Sequence, residues 1–311
     1  MMKRFLIRTA LLFIFPVFLV LATCEYFLRK VLNDYQYKNE WLTHNCGKIE
    51  VLNLGSSHAY FGICPQYFSY SAFNAAHVSQ SIKYDHFIFK KFIDDMDSLK
   101  VIILPLSYFS MTSNGPEGGI EDWRVKYYSI YYGCDYHKHE PKYNLEIIPK
   151  IRIGTAILSV FGKANNRNVD SLGWGYSCQE LFEQNEWEIE GKTAAQRHTR
   201  QTIDTIIVNE NVYRLDEIIR ICQNRKVSVI LLTTPTYKTY RDNLKTEQLD
   251  IMLKYGHLFE SKFDNVHYIN LLDSDCFVQE DFQNSDHLNA FGAEKLTTLL
   301  DHYIDSLQLI K

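Results

Sequence analysis

The chain lacks the loops and ligand spacings that mark several common chemistries. Its seven cysteines, at 24, 46, 64, 134, 178, 222 and 276, form no Cys-x-x-Cys pair, so zinc-ribbon and thioredoxin-type sites find no support. Neither a Gly-x-Gly-x-x-Gly loop nor a Walker-type glycine-lysine loop is present, which sets aside nucleotide sites of those kinds. Charge of one sign is also scarce. A formal net charge of −4 gives no electrostatic case for nucleic acid as a partner. No internal repeat or low-complexity tract interrupts the sequence. His137 and His139 have no acidic partner at ligand spacing, so neither metal nor cofactor is expected.

What is present describes a folded body. The 311 residues are 46% hydrophobic and 23% charged, ordinary proportions that argue against extended disorder and supply ample core. Forty residues are Phe or Tyr. Many of these belong in a core, and exposed ones could line a sugar-binding surface. An odd cysteine count leaves at least one thiol unpaired if disulfides form.

The N-terminus carries an address. Lys3, Arg4 and Arg8 precede an apolar run from Thr9 to Cys24, interrupted only by Pro16. Helical residues over that run reach about 24 Å, short of the roughly 30 Å hydrocarbon core. Phe5 to Ile7 extend it while Arg8 snorkels to the headgroups. Basic residues before the span and Glu25 after it favour a cytoplasmic N-terminus and an exported body. A cleaved signal peptide competes, and Leu21-Ala22-Thr23-Cys24 loosely resembles a lipoprotein box. The threonine fits that box poorly, and an uncleaved anchor is favoured.

The expected organisation is a basic end (1–8), a membrane anchor (9–24), a polar, aromatic stalk (25–48) and an α/β domain (49–311). Short strands are predicted at Ile49 to Leu54, Ala72 to Ala76, Val101 to Leu106, Val227 to Thr233 and Val266 to Leu271. Helices are predicted over Ser81 to Met96, Ala194 to Lys226, Asn243 to Phe263 and Ala290 to Leu307. That alternation implies a mainly parallel sheet with right-handed crossovers. The Tyr-rich stretch from about 107 to 193 has weak periodicity and is expected as an insertion over the sheet.

Two short motifs stand at opposite ends of this domain. Leu52-Asn53-Leu54-Gly55-Ser56-Ser57-His58 puts a serine where an apolar strand gives way to a turn, and Ser285-Asp286-His287-Leu288-Asn289 puts a histidine just ahead of the last helix. A serine hydroxyl becomes a nucleophile when a base takes its proton, and active sites in such sheets lie beyond the carboxyl ends of the strands.

At these residues the chain resembles the SGNH, or GDSL-like, hydrolase superfamily, in the extracytoplasmic branch that includes alginate O-acetylation and teichoic-acid D-alanyl transfer proteins. The resemblance implies a three-layer α/β sandwich from about Ile49 to the C-terminus. It assigns the nucleophile to Ser57 and the base to His287. The family's aspartate three residues before the histidine is Asn284 here, a weaker orienter, with Asp286 as the alternative. Oxyanion donors carry over to the N–H groups of Ser57 and Ser79, the latter in the place of a glycine. The third block's asparagine has no match after Leu106; Asn74 and Gln80 are the candidates to substitute, with satisfaction of loop backbone as the alternative role for either. His58 is a candidate substrate contact.

The expected function is a membrane-anchored serine esterase or O-acyltransferase acting on acylated carbohydrate or another ester, with a membrane acyl-donor protein as a partner. The alternative is a catalytically inactive protein of the same fold that binds glycan or partners in envelope polysaccharide assembly.

Overall fold

The computed structural model describes residues 2–148, 153–176 and 186–310. Two compact units emerge, one of Met1–Asn39 with Asp122–Arg167 and one of Glu40–Glu121 with Asn168–Lys311. The stretch expected as a single insertion is therefore divided. Its middle belongs with the N-terminal residues and its two ends with the sheet-bearing unit.

In the first unit a continuous apolar helix runs from Met2 to Leu28, longer at both ends than the run expected from hydropathy. A wide π turn, Ala10–Ile14, sits just before Pro16, whose missing N–H and ring perturb the turn ahead of it. Aromatic packing supplies much of the rest: Tyr35 meets the rings of Tyr127 and Tyr128, each at 5.0 Å. Lys126 is buried with its ammonium 2.9 Å from Glu146 Oε2 and 3.0 Å from the Glu146 carbonyl, so the buried cation has both charge and hydrogen bonds to compensate it. Where a stalk was expected, the chain forms a helix over Asp34–Asn45.

The second unit holds a five-stranded sheet of β1 (Val51–Asn53), β2 (Ala72–Asn74), β3 (Val101–Pro105), β4 (Ser228–Thr233) and β5 (Val266–Asn270). The order is β2-β1-β3-β4-β5 and every pairing is parallel. β1 to β3 are buried along their whole length and β4 at all but its first residue, which is why they read as unbroken apolar runs rather than alternating ones. Helices fill the crossovers: α1 (Ser57–Gly62), α2 (Ile82–Phe92), α3 (Trp187–His198), α4 (Thr205–Asn224), α5 (Thr246–Lys262) and, after the last strand, α6 (Ala290–Ser306).

The strand order turns back at β1. Right-handed crossovers then put α1 on one face and α2, α4 and α5 on the other. The packing agrees, since α2 lies against α4 and α6 against α1. The result is a three-layer α/β sandwich. Between β1 and β3 the connections diverge, leaving a crevice beyond the strand ends where a site can form.

One predicted element breaks. The apolar periodicity from Ala194 to Lys226 suggests one helix, yet the chain is non-helical from Thr199 to Asp204. Thr199 turns out of the helix with its hydroxyl bonded to the Ala195 carbonyl and near the Tyr108 hydroxyl. The buried Gln248 accepts the Arg200 N–H and donates to the His198 and Tyr108 carbonyls. Asp204 then caps α4 by accepting the Ile206 N–H at 2.8 Å, a cap that restarts the helix. The six described cysteines are all free thiols, and Cys178 lies outside the described residues.

Candidate functional site

The strand-to-helix turn after β1 is built by a glycine that no other residue could replace without strain. Gly55 has φ +114°, and a Cβ there would meet the Pro105 ring at 2.8 Å. Its N–H donates to the buried Asp85 carboxylate at 2.7 Å and its carbonyl accepts the His77 N–H at 3.1 Å. The second of these bonds ties the loop carrying Ser79 to the turn carrying Ser57. Ser57 is the first residue of α1, so its backbone N–H has no partner within the helix. Ser56, one residue earlier, makes no side-chain cap.

At the other end of the domain, the loop before α6 folds over the same strand ends. Ser57 Oγ lies 2.8 Å from His287 Nε2, across 230 residues of sequence. The opposite ring nitrogen, Nδ1, lies 3.0 Å from Asn284 Oδ1 and 3.2 Å from Asp286 Oδ1. Rings of Phe61 and His58 pack edge-on against the imidazole at 5.4 and 5.3 Å. Ser57 and His287 open on a cavity of about 690 Å³, whose wall includes Ser79, Phe109, Ile120, His198 and Asn284. Ser79 stands with φ +61°, a left-handed conformation that glycine adopts most easily. Its hydroxyl is engaged by Glu121.

No described protein family and no curated protein matches the sequence. Solved structures similar in chain course include the following three. One, from Streptococcus pneumonia, is provisionally named a platelet activating factor: 11% identity, 94% of this chain and 97% of that one covered, TM-score 0.42. A GDSL-like lipase from Bacteroides thetaiotaomicron VPI-5482 matches at 8% identity over 88% and 100%, with TM-score 0.42. A protein from Bacteroides fragilis NCTC 9343, provisionally named an acylhydrolase, matches at 8% over 87% and 96%, with TM-score 0.41.

Beneath the cavity floor lies a charged cluster that the sequence did not reveal. Asp286 is fully buried, with His287 Nδ1, Arg197, His198 Nδ1 and His58 Nε2 between 3.2 and 3.8 Å from its carboxylate oxygens. Burial alone pushes that carboxyl up, but the charge and hydrogen bond of His287, with His58 and His198, hold it well below the usual carboxylate range. Burial lowers His58 against the raising influence of Asp286, and burial takes His198 down to about 3. Both imidazoles are therefore neutral at physiological pH. His58, Asp286 and His287 place ligand-type atoms within 4.8 Å of one another. With a guanidinium already 3.6 Å from the same carboxylate, this is a charge-compensated network rather than an arrangement suited to a cation.

Three expectations need correction. His58 faces inward, its side chain 2% exposed. Its Nδ1 meets Ser107 Oγ at 2.9 Å and Thr234 Oγ1 at 3.3 Å, so it supports the floor and cannot touch substrate. Asn74 is fully buried, donating to the Ala59 and Ile63 carbonyls and accepting the Ala76 N–H, so it holds α1 to β2 and is no oxyanion donor. Gln80 donates to Asp85 at 2.7 Å and is likewise structural. Asp286, named as the alternative orienter, lies 3.2 Å from the imidazole Nδ1, beside Asn284 rather than in its place.

Arg197, His198 and Arg200 also reach the cavity. The signal that could have found them is the polar interruption Arg197-His198-Thr199-Arg200 in an otherwise apolar-periodic stretch.

Proposed function

We propose that the chain is a membrane-tethered serine esterase or O-acyltransferase acting on an acyl ester, with O-acetyl groups on a cell-envelope glycan as the substrate class. The observation that carries this reading is the 2.8 Å contact of Ser57 Oγ with His287 Nε2 on the wall of a substrate-sized cavity. Ser57 donates its proton to His287 as Oγ attacks the acyl carbonyl carbon. The N–H groups of Ser57 and Ser79 stabilise the oxyanion that develops. The imidazolium then returns its proton to the departing alcohol, leaving an acyl-serine. Water or a sugar hydroxyl, deprotonated by His287, attacks the acyl-serine, and Ser57 is released as the new acid or ester forms. Asp286, ionised and beside the ring, favours the imidazolium at each transfer.

The helix Met2–Leu28 supports the tether. It is long enough to cross a bilayer, and Leu12, Phe13, Ile14, Phe18 and Val20 on it are all exposed. A basic start and Glu25 favour an exported body.

Incubating the full chain in detergent with p-nitrophenyl acetate and a fluorophosphonate probe tests the assignment. The wild type is expected to release nitrophenol and to label covalently. Ser57→Ala is expected to lose both, and His287→Ala to lose at least about a hundredfold in rate. Labelling that persists in Ser57→Ala rejects that nucleophile. An inert wild type favours the binding-protein alternative.

A further inference from the structure

Arg200 is an exception among the arginines of its unit. Five of the six have a carboxylate within 4.0 Å: Arg197, Arg214, Arg220, Arg225 and Arg241. Arg200 has none among the described residues, although it is only partly exposed. Among the described residues its guanidinium makes a single hydrogen bond, from Nη2 to Ser113 Oγ at 2.6 Å. Ser113 Oγ also accepts the Gly115 N–H at 3.0 Å, and Asn211 donates to the Ser113 carbonyl at 3.2 Å, so the anchor is itself fixed. The loop between α3 and α4 that places Arg200 is pinned by Gln248 through the Arg200 backbone N–H.

Removing a charge from water without a partner is costly. A guanidinium has five N–H donors in a planar fork suited to a carboxylate or a phosphate. Here the fork is held in place with most of its donors unused, on the wall of the cavity that opens on Ser57 and His287. Arg197, whose charge offsets Asp286, lies on the same wall, and the wall carboxylate of Glu121 is held by the Ser79 hydroxyl.

We infer that Arg200, anchored by Ser113 and flanked by Arg197, is an anion subsite: the ester handled at Ser57 carries a carboxylate or phosphate group on the same molecule, and Arg200 binds it. The inference deepens the esterase reading and rests on it for its kinetic arm.

Matched esters test it. The pairs are the acetylated methyl glycoside of a hexuronic acid against that of the parent hexose, and 1-acetylglycerol 3-phosphate against 1-acetylglycerol. With full-length wild type in detergent, the charged member of at least one pair is expected to show a kcat/KM about tenfold or more above its neutral partner. The pair that responds identifies carboxylate or phosphate. In Arg200→Gln that ratio is expected to fall close to one, with an intermediate value in Arg200→Lys and in Ser113→Ala. Arg241→Gln, a remote variant, keeps the ratio. Equal kcat/KM for both members of both pairs in the wild type overturns the subsite, and so does a preference that survives Arg200→Gln. Calorimetric titration of the same compounds separates the two readings. Charge-selective binding lost in Arg200→Gln, with no ester turned over, upholds the subsite and removes the esterase. Turnover of neutral esters with binding blind to charge does the reverse.

Discussion

Asn284 Oδ1 accepts three hydrogen bonds, from the backbone N–H groups of Asp286 and His287 at 3.2 and 2.9 Å and from His287 Nδ1 at 3.0 Å. The two backbone donors fix which end of the amide faces the ring, because only the oxygen can accept them. His287 must then carry its proton on Nδ1, which leaves the Nε2 lone pair facing Ser57 Oγ. The tautomer is set by a neutral amide, and the charge comes from Asp286 beside it. In a Ser-His-Asp site one carboxylate does both. Separate roles predict separable losses. Asp286→Asn keeps the tautomer and loses the charge, an expected fall in kcat of roughly a hundredfold, about 2–3 kcal/mol. Asn284→Asp alone crowds a second carboxyl against the buried Asp286, and one of the two takes up a proton. Joining the two changes restores one charge at Nδ1, and the double variant is expected to recover to within about tenfold of wild type. Steady-state kinetics on p-nitrophenyl acetate reads all three. A double variant no better than Asp286→Asn defeats this division of roles.

Among the elements, the turn between β1 and α1 is the most constrained. Gly55→Ala places a methyl 2.8 Å from the Pro105 ring at a φ of +114°, combining overpacking with backbone strain. The expected loss is roughly 2–4 kcal/mol, visible as a lowered melting temperature, and nucleophile reactivity falls with it because the same turn aims Ser57. An unchanged melting temperature contradicts that reading of the turn. Local pattern made this element legible, since an apolar run ended by Gly-Ser-Ser needs no distant information. The five strands were legible for the same reason, each within a residue or two at its ends. His58 and Asn74 were misread because polar type suggests exposure, and only the assembled layers bury them. The break at Thr199 to Asp204 was hidden because apolar spacing continues through it, while Gln248, some 50 residues away, holds it open. The division of the Tyr-rich stretch between two units depends on long-range contacts that no local periodicity records.

At the scale of the whole molecule, stability should depend on pH through a carboxyl with no cation beside it among the described residues. Asp85 is fully buried beneath the Gly55 turn and accepts from two neutral donors, the Gly55 N–H and the Gln80 amide, both at 2.7 Å. Burial raises its pKa from 3.8 to about 7, and the bonds from Gln80 and Gly55 offset that rise only in part. Below pH 4 the group is protonated in both folded and unfolded chains, so no buried charge weakens the fold. Between about 4 and 7 the unfolded chain gives up its proton while the folded one keeps it, and stability falls as pH rises. Above 7 the folded state ionises as well and the loss levels off, at a few kcal/mol. Asp85→Asn keeps an oxygen for both donors and has nothing to ionise. Denaturant titrations of full-length wild type and Asp85→Asn at pH 5 and pH 8 should therefore show the difference in unfolding free energy moving in favour of the variant at the higher pH. A difference that stays constant across that interval, or moves the other way, means that Asp85 is ionised throughout and that a cation or water network compensates it.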